Sequence, residues 1–317
     1  MAPRKKLDIL VFGAGAIGSV YGGFLSRFHN VTLLGRTNHI RAIRKRGLRV
    51  SGIWGRHVFK QLQLETDSRK FIRQKKHFDL ILLTVKSYDM ARAVLAIKKL
   101  LSPHTAVLAL QNGLGNIEIL HRALPPKQVF AGRVIFGVEV PKPGEVKVTV
   151  IAQPTALGET CRKGITPRLK HLVQVFSETK IPTVACRDIE RLIWAKVIYN
   201  SSLNPLASLL DCHYGYLGEH QATRQMIQEI IEEIYRVGKK LKVHLAPRTA
   251  LGYQKVFFKT LLPRTYHHHP SMLQDLQRGK RTEIEALNGA IERLGKRAKI
   301  AVPVNALMAD LIRQKEA

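Results

Sequence analysis

Lys196, Asn200 and Asn204 recur at every fourth position of Trp194-Ala195-Lys196-Val197-Ile198-Tyr199-Asn200-Ser201-Ser202-Leu203-Asn204-Pro205, so a helix here carries all three on one face. Pro205 disfavours helical geometry at Asn204 and is expected to end or bend the helix there. A solvated stripe accounts for a lysine, but two asparagines are weak helix formers and are less expected on such a stripe. Hydride reduction of a ketone creates an alkoxide, and a lysine ammonium supplies both the positive charge and the proton that this step needs. Burial lowers a lysine's pKa and makes it a better acid, and a nearby carboxylate orients it. Glu283 and Glu285, in Thr282-Glu283-Ile284-Glu285, are candidates for that carboxylate; compensation of the helix dipole in a first turn is their other reading.

Such chemistry would need a hydride source. Gly13-Ala14-Gly15-Ala16-Ile17-Gly18 matches G-x-G-x-x-G between an expected strand and an expected helix from about Ala16 to Arg27. Gly13 permits the tight turn, Gly15 lets the backbone approach a pyrophosphate, and Gly18 allows the helix to pack on the sheet. Enzymes that take NAD usually place Asp or Glu at the end of the second strand, whereas this chain reads Leu33-Leu34-Gly35-Arg36-Thr37. Arg36 suits a 2′-phosphate, so NADPH/NADP+ is the expected cofactor; an arginine serving only solubility is the alternative. Lys86 and Asn112 follow two further strands whose carboxyl ends should border the same crevice, Lys86 offering charge and Asn112 hydrogen bonds near the nicotinamide.

The elements that must position these residues begin with strands expected at Leu7 to Phe12, Val31 to Leu34, Leu80 to Val85, Ala106 to Leu110 and Val129 to Phe136, alternating with helices. The run Leu80-Ile81-Leu82-Leu83-Thr84-Val85 reads as a strand buried on both faces. Gly137 to Gly158 reads as an antiparallel hairpin appended to this sheet. After Cys186 the pattern turns helical: Asp188 to Leu203, Gln221 to Leu241, a run after Arg248, Ser271 to Gly279 and Thr282 to Arg297. The expected architecture is an α/β Rossmann-type doubly wound parallel sheet over residues 1–186, holding the cofactor, and an all-helical catalytic domain over residues 187–317.

The 317 residues carry 52 Lys and Arg against 23 Asp and Glu, a formal charge of +29. Such a balance raises nucleic acid, membranes and anionic ligands as partners, but the basic residues are spread along the chain and form no nucleic-acid-binding signature. Three distant cysteines give neither a disulfide framework nor a zinc site, which fits a reducing cytoplasm. Arg4, Lys5 and Lys6 before an apolar run imitate a signal peptide, but Asp8 and the glycines fit that role badly, so this segment is read as a first strand and its turn. No apolar run approaches the roughly 20 residues of a membrane helix. His267-His268-His269-Pro270 is read as a polar loop in preference to a metal site.

These motifs, in this order over nearly the whole chain, resemble the ketopantoate reductases, also called 2-dehydropantoate 2-reductases. The resemblance is carried by the glycine turn, Val85-Lys86, Gln111-Asn112-Gly113-Leu114-Gly115, Trp194-Ala195-Lys196 with Asn200 and Asn204, and Ser271-Met272-Leu273-Gln274-Asp275 leading to Thr282-Glu283-Ile284-Glu285. It implies reduction of 2-dehydropantoate to (R)-pantoate in pantothenate and coenzyme A synthesis, with NADPH and the keto acid in a cleft between the domains. It implies Lys196 as the catalytic lysine and Glu283 as the glutamate that binds the substrate hydroxyl and sets the lysine. It also implies Asn112, Asn200, Asn204 and Ser271 as substrate contacts, Asn112 and Glu283 serving the cofactor as well, in a monomer or homodimer. Glu285 replaces the family's more usual aspartate, and His268 stands where an asparagine often touches substrate. A reductase of another 2-keto acid, or a non-catalytic NADP-binding redox sensor, are the alternatives.

Overall fold

The computed structural model describes residues 5–179 and 181–317; the first four residues, including the Arg4 of the basic start, lie outside the described residues. The described residues form two compact units, one from the residues up to 111 with those of 116–189, the other from residues 112–115 with 190–317.

The strands of the first unit are β1 (Asp8–Phe12), β2 (Asn30–Leu34), β3 (Leu48–Gly52), β4 (His57–Phe59), β5 (Gln63–Glu65), β6 (Leu80–Leu83), β7 (Ala106–Ala109), β8 (Val129–Arg133), β9 (Phe136–Lys142), β10 (Glu145–Ile151), β11 (Thr155–Glu159) and β12 (Thr183–Ala185). Six parallel strands run in the order β5-β2-β1-β6-β7-β8. That is the order of a doubly wound dinucleotide-binding sheet, with the switch point between β1 and β6. The apolar runs explain it: Ile9 and Val11 of β1 and Leu80 and Leu82 of β6 enter one core, while Leu10, Ile81 and Leu83 enter the core on the other face. Strands buried on both faces in this way need helices on each side, which the crossover connections supply.

Beyond β8 the sheet continues differently from the sequence expectation. The stretch Val129 to Phe136 divides between β8 and β9, and the β9–β10 hairpin does not extend the parallel sheet. It joins β3 and β4 in a second sheet of order β4-β3-β10-β9. β11 then pairs antiparallel with β8, and β12 parallel with β11. The hairpin's partner was hidden because β3 has no continuous apolar run: Leu48 and Val50 are buried while Arg49 between them is exposed. A second tie comes from His39, whose Nδ1 accepts from Gly144 N at 3.0 Å in the hairpin turn. Its Nε2 therefore carries the proton and donates to Ser19 Oγ at 3.0 Å, and burial lowers its pKa, favouring this neutral form.

The second unit is helical, built mainly from Ile189–Leu209, Gln221–Lys240, Ala250–Val256, Ser271–Gln277, Asn288–Ala298 and Pro303–Glu316 around one apolar core. Pro205 does not end its helix, which continues to Leu209. Among the described residues no helix is long and apolar enough to cross a membrane.

Candidate active site

The expected site residues fall into two sets, one in each unit. In the first unit, Gly13-Ala14-Gly15-Ala16-Ile17-Gly18 makes the turn from β1 into the helix Ala16–Leu25. Gly13 and Ala14 N–H groups donate to Leu34 O at 3.0 and 2.8 Å, tying the turn to the end of β2. A Cβ on Gly18 would lie 2.3 Å from Gly13 O and 2.5 Å from Thr84 Oγ1, so only glycine lets the helix approach the sheet this closely. Among the described residues, a Cβ at exposed Gly15 would meet nothing within 4 Å, and no side chain caps the helix start. Bare backbone and uncapped N–H groups at a helix N-terminus fit a pyrophosphate.

Arg36, exposed, follows β2 and opens the helix Thr37–Arg46. Among the described residues it pairs with no carboxylate, and the neighbouring Glu65, beside Leu34 on β5, is taken by Lys70. Lys86 follows β6 and is half-buried. The glycine turn, Arg36 and Lys86 thus gather at the carboxyl ends of three adjacent parallel strands.

In the second unit Asn112, Asn200, Asn204, Ser271, Asp275 and Glu283 line one pocket, with Met272 and Leu287 as its apolar wall. Lys196 reaches these groups through Asn112: its Nζ donates to Asn112 Oδ1 at 2.7 Å, and Asn112 Nδ2 donates to Glu283 Oε2 at 3.3 Å. The helix Ile189–Leu209 positions the lysine and two asparagines as their spacing requires, while Trp194, Val197 and Ile198 sink into the core. Asn204, nearly buried, accepts from Tyr214 OH at 2.6 Å through its Oδ1.

Asn112 arrives on a loop fastened to the other wall. Leu114 N donates to Ala286 O at 2.8 Å, and Gly113 adopts φ +86° where a Cβ would sit 2.4 Å from Ala286 Cβ and O. Only glycine permits that contact, which is why residues 112–115 belong to the second unit. Glu283 precedes the tight turn Ile284–Ala286, whose Ile284, with the following Leu287, is buried in the core. Thr282 N donates to Glu316 Oε1 at 2.8 Å, holding the start of the turn.

Glu285 stands apart from Glu283. Its Oε1 accepts from Arg313 Nε at 2.7 Å and its Oε2 from Arg293 Nη1 at 2.7 Å. The Arg313 guanidinium holds the Glu285 carboxyl below its ordinary pKa, outweighing partial burial, and Arg293 adds to the effect. Glu285 is thus a clasp between helices and Glu283 the carboxylate of the pocket. His268 is exposed, and its ring lies 5.2 Å from the Tyr214 ring. Among the described residues no group of His, Cys, Asp or Glu is arranged to hold a metal ion.

Met272 and Asp275 stood in the sequence motif without an assigned role, and Leu287 and Tyr214 were not anticipated. Asp275 had a signal, since it lies four residues after Ser271 on a helix and so shares its face. Tyr214 had none: only the fold brings it to Asn204.

The chain matches the family described as "Ketopantoate reductase PanE/ApbA" over residues 9–161 and that family's C-terminal region over residues 188–316. It is 37% identical to a 2-dehydropantoate 2-reductase of Aquifex aeolicus, across 98% of this chain and 97% of that protein. A solved PanE/ApbA family ketopantoate reductase from Ralstonia eutropha superposes with a TM-score of 0.86 at 30% identity, covering 98% of each chain. A D-mandelate dehydrogenase, solved in ternary complex with NADH and anilino(oxo)acetate, gives a TM-score of 0.86 at 28% identity over 98% of each chain.

The Glu285 clasp sets an expected pH response. A carboxyl whose folded pKa is depressed adds stability above its unfolded pKa of about 4.3 and loses it as pH falls through the folded value. Glu285→Gln should therefore lower Tm near neutrality and flatten the fall in Tm on acidification below about pH 4.3. Parallel thermal melts of both proteins across that range check it; superimposable Tm profiles would remove the clasp.

Proposed function

The chain belongs to the ketopantoate reductase family, and on that premise we propose that it reduces 2-dehydropantoate to (R)-pantoate with NADPH, in pantothenate and coenzyme A synthesis, with Lys196 as proton donor. Membership makes it an oxidoreductase acting on a CH–OH group. The observation that carries the proposal is the hydrogen-bonded line from Lys196 through Asn112 to Glu283 beside a pocket lined by Asn200, Asn204 and Ser271.

When bound, the nicotinamide supplies the hydride that turns the C2 carbonyl into an alkoxide. The chain's own residues do the rest. The Lys196 ammonium stabilises negative charge as it develops on the C2 oxygen and delivers its proton there. Asn112, accepting from Lys196 and donating to Glu283, fixes the lysine and serves both substrate and cofactor. Glu283 accepts a hydrogen bond from the substrate hydroxyl, and Asn200, Asn204 and Ser271 supply polar contacts to the keto acid. Gly13 through Gly18 present backbone N–H groups to the pyrophosphate, and Lys86 adds positive charge. Arg36, exposed and without a carboxylate partner among the described residues, takes the 2′-phosphate. Residues 1–186 act as the cofactor domain and residues 187–317 as the catalytic domain, with Asn112 lent to the latter.

A second reading, reduction of a different 2-keto acid, is favoured by the likeness to D-mandelate dehydrogenase. Loss of NADPH absorbance with 2-dehydropantoate, 2-ketoisovalerate, oxaloacetate and benzoylformate decides between them. A kcat/KM highest for 2-dehydropantoate supports the first reading, a highest value for another acid supports the second, and no turnover with any contradicts both.

Two substitutions test the roles. Lys196→Ala should lower kcat by about 10²- to 10⁴-fold, the usual contribution of a positioned proton donor, while NADPH still binds; near wild-type turnover would remove the role. Arg36→Ala should weaken NADPH roughly tenfold or more, as expected for one charge-assisted hydrogen bond, and leave NADH nearly unchanged. Equal losses for both nucleotides, measured by fluorescence titration, would assign the phosphate to other residues.

A further inference from the structure

Pro205 sits inside the helix Ile189–Leu209. A proline has no N–H, so the carbonyl four residues earlier, that of Ser201, loses its normal helical donor. Ser201 is fully buried, so water cannot replace that donor. The side chain of Asn288 does: its Nδ2 donates to Ser201 O at 3.1 Å.

Asn288 is held to this task from behind. Its Nδ2 also donates to Asn305 Oδ1 at 3.1 Å. Asn305 in turn donates from Nδ2 to Glu233 Oε2 at 2.8 Å and from its backbone N to the same oxygen at 2.9 Å. Val304 N donates to Glu233 Oε1 at 2.9 Å, so this buried carboxylate receives the first N–H groups of the helix Pro303–Glu316. The carboxylate fixes the polarity of the whole chain. A flipped Asn305 would turn its carbonyl on Glu233, and a flipped Asn288 would turn its carbonyl on both Ser201 O and Asn305 Oδ1. Asn288 Oδ1 is buried with no hydrogen-bond partner among the described residues, so the residue gives up its acceptor to keep both donors in use.

The two ends of this link matter chemically. Ser201 lies between Asn200 and Asn204, and Asn288 follows Leu287, the pocket wall, five residues after Glu283. We propose that Asn288 is a positioning residue for the reduction. By supplying the hydrogen that Pro205 cannot, it sets the turn carrying Asn200 and Asn204 against the segment carrying Glu283. This rests on the reading that Asn200 and Asn204 bind the keto acid.

The test is a four-protein cycle: wild type, Asn288→Ala, Pro205→Ala and the double variant. The Pro205→Ala change restores an N–H that can reach Ser201 O, which makes the Asn288 donor redundant. With Pro205 present, Asn288→Ala should raise KM for the keto acid about tenfold, with kcat changed less than about threefold and NADPH affinity unchanged. In the Pro205→Ala background, the same change should raise KM less than about threefold. A simple cavity would cost the same in either background. Wild-type KM in Asn288→Ala, or a penalty that Pro205→Ala does not reduce, overturns the proposal. If Asn288→Ala alone does not fold, the double variant should recover both a cooperative melt and a KM within about threefold of that of Pro205→Ala; a double variant that stays unfolded, or folds with a higher KM, contradicts the proposal. If the wild type turns over no 2-keto acid, the functional reading fails by itself, and the proposed substrate-positioning role falls with it. The Tm values of the four proteins then decide only the Ser201 hydrogen bond.

Discussion

An asparagine amide has one accepting end and one donating end, and at Asn112 both are committed. The carbonyl takes the Lys196 ammonium and the NH2 faces the Glu283 carboxylate. The reverse orientation would set NH2 against ammonium and carbonyl against carboxylate, so the arrangement has one polarity. Hydrogen bonds to charged groups contribute about 1.5–3 kcal/mol each. That is ample to order three side chains from three distant segments. Much of the second unit can be understood as the scaffolding this line requires.

The scaffolding works by dividing each segment between core and pocket. The helix Ile189–Leu209 buries Trp194, Val197 and Ile198 and presents Lys196, Asn200 and Asn204. The turn after Glu283 buries Ile284 and Leu287, and its tight pitch sends Glu283 and Glu285 in different directions. Glu285 meets Arg313 and Arg293, so the same turn is clamped from outside by ion pairs and from inside by apolar burial. The loop 112–115 has no apolar anchor of comparable size apart from Leu114, and relies on Gly113 for contact with Ala286. In the first unit the logic is simpler: parallel strands with apolar runs on both faces place their carboxyl-end turns side by side, and the glycine turn, Arg36 and Lys86 follow.

Sequence was informative wherever one period or one backbone requirement decided the outcome. The continuous apolar run Leu80 to Val85 read as a doubly buried strand, and Leu80–Leu83 is one; the glycine spacing read as a close helix-sheet turn, and the four-residue repeat placed Lys196, Asn200 and Asn204 on one helix face. It was uninformative where partners lie far apart. β3 and β4 carry no continuous apolar run like that of β6, and their pairing with the hairpin joins segments far apart in the chain, so the hairpin's sheet was invisible. Local rules placed a helix end or bend at Pro205; the helix continues to Leu209, with the freed carbonyl served by a donor 87 residues away. Tyr214 and the Glu285 clasp were hidden for the same reason, since neither has a local period. Which residues share a face was legible, but which faces meet was not.

The central claim is that Lys196 is the group that meets the reacting oxygen. A crystal structure of the ternary complex with NADP+ and pantoate tests it most directly. Lys196 Nζ should lie at hydrogen-bond distance, about 2.6–3.2 Å, from the C2 hydroxyl oxygen, with Asn112 still bridging to Glu283. A pantoate hydroxyl bound by other groups, with Lys196 turned away or held only by Asn112, would contradict it.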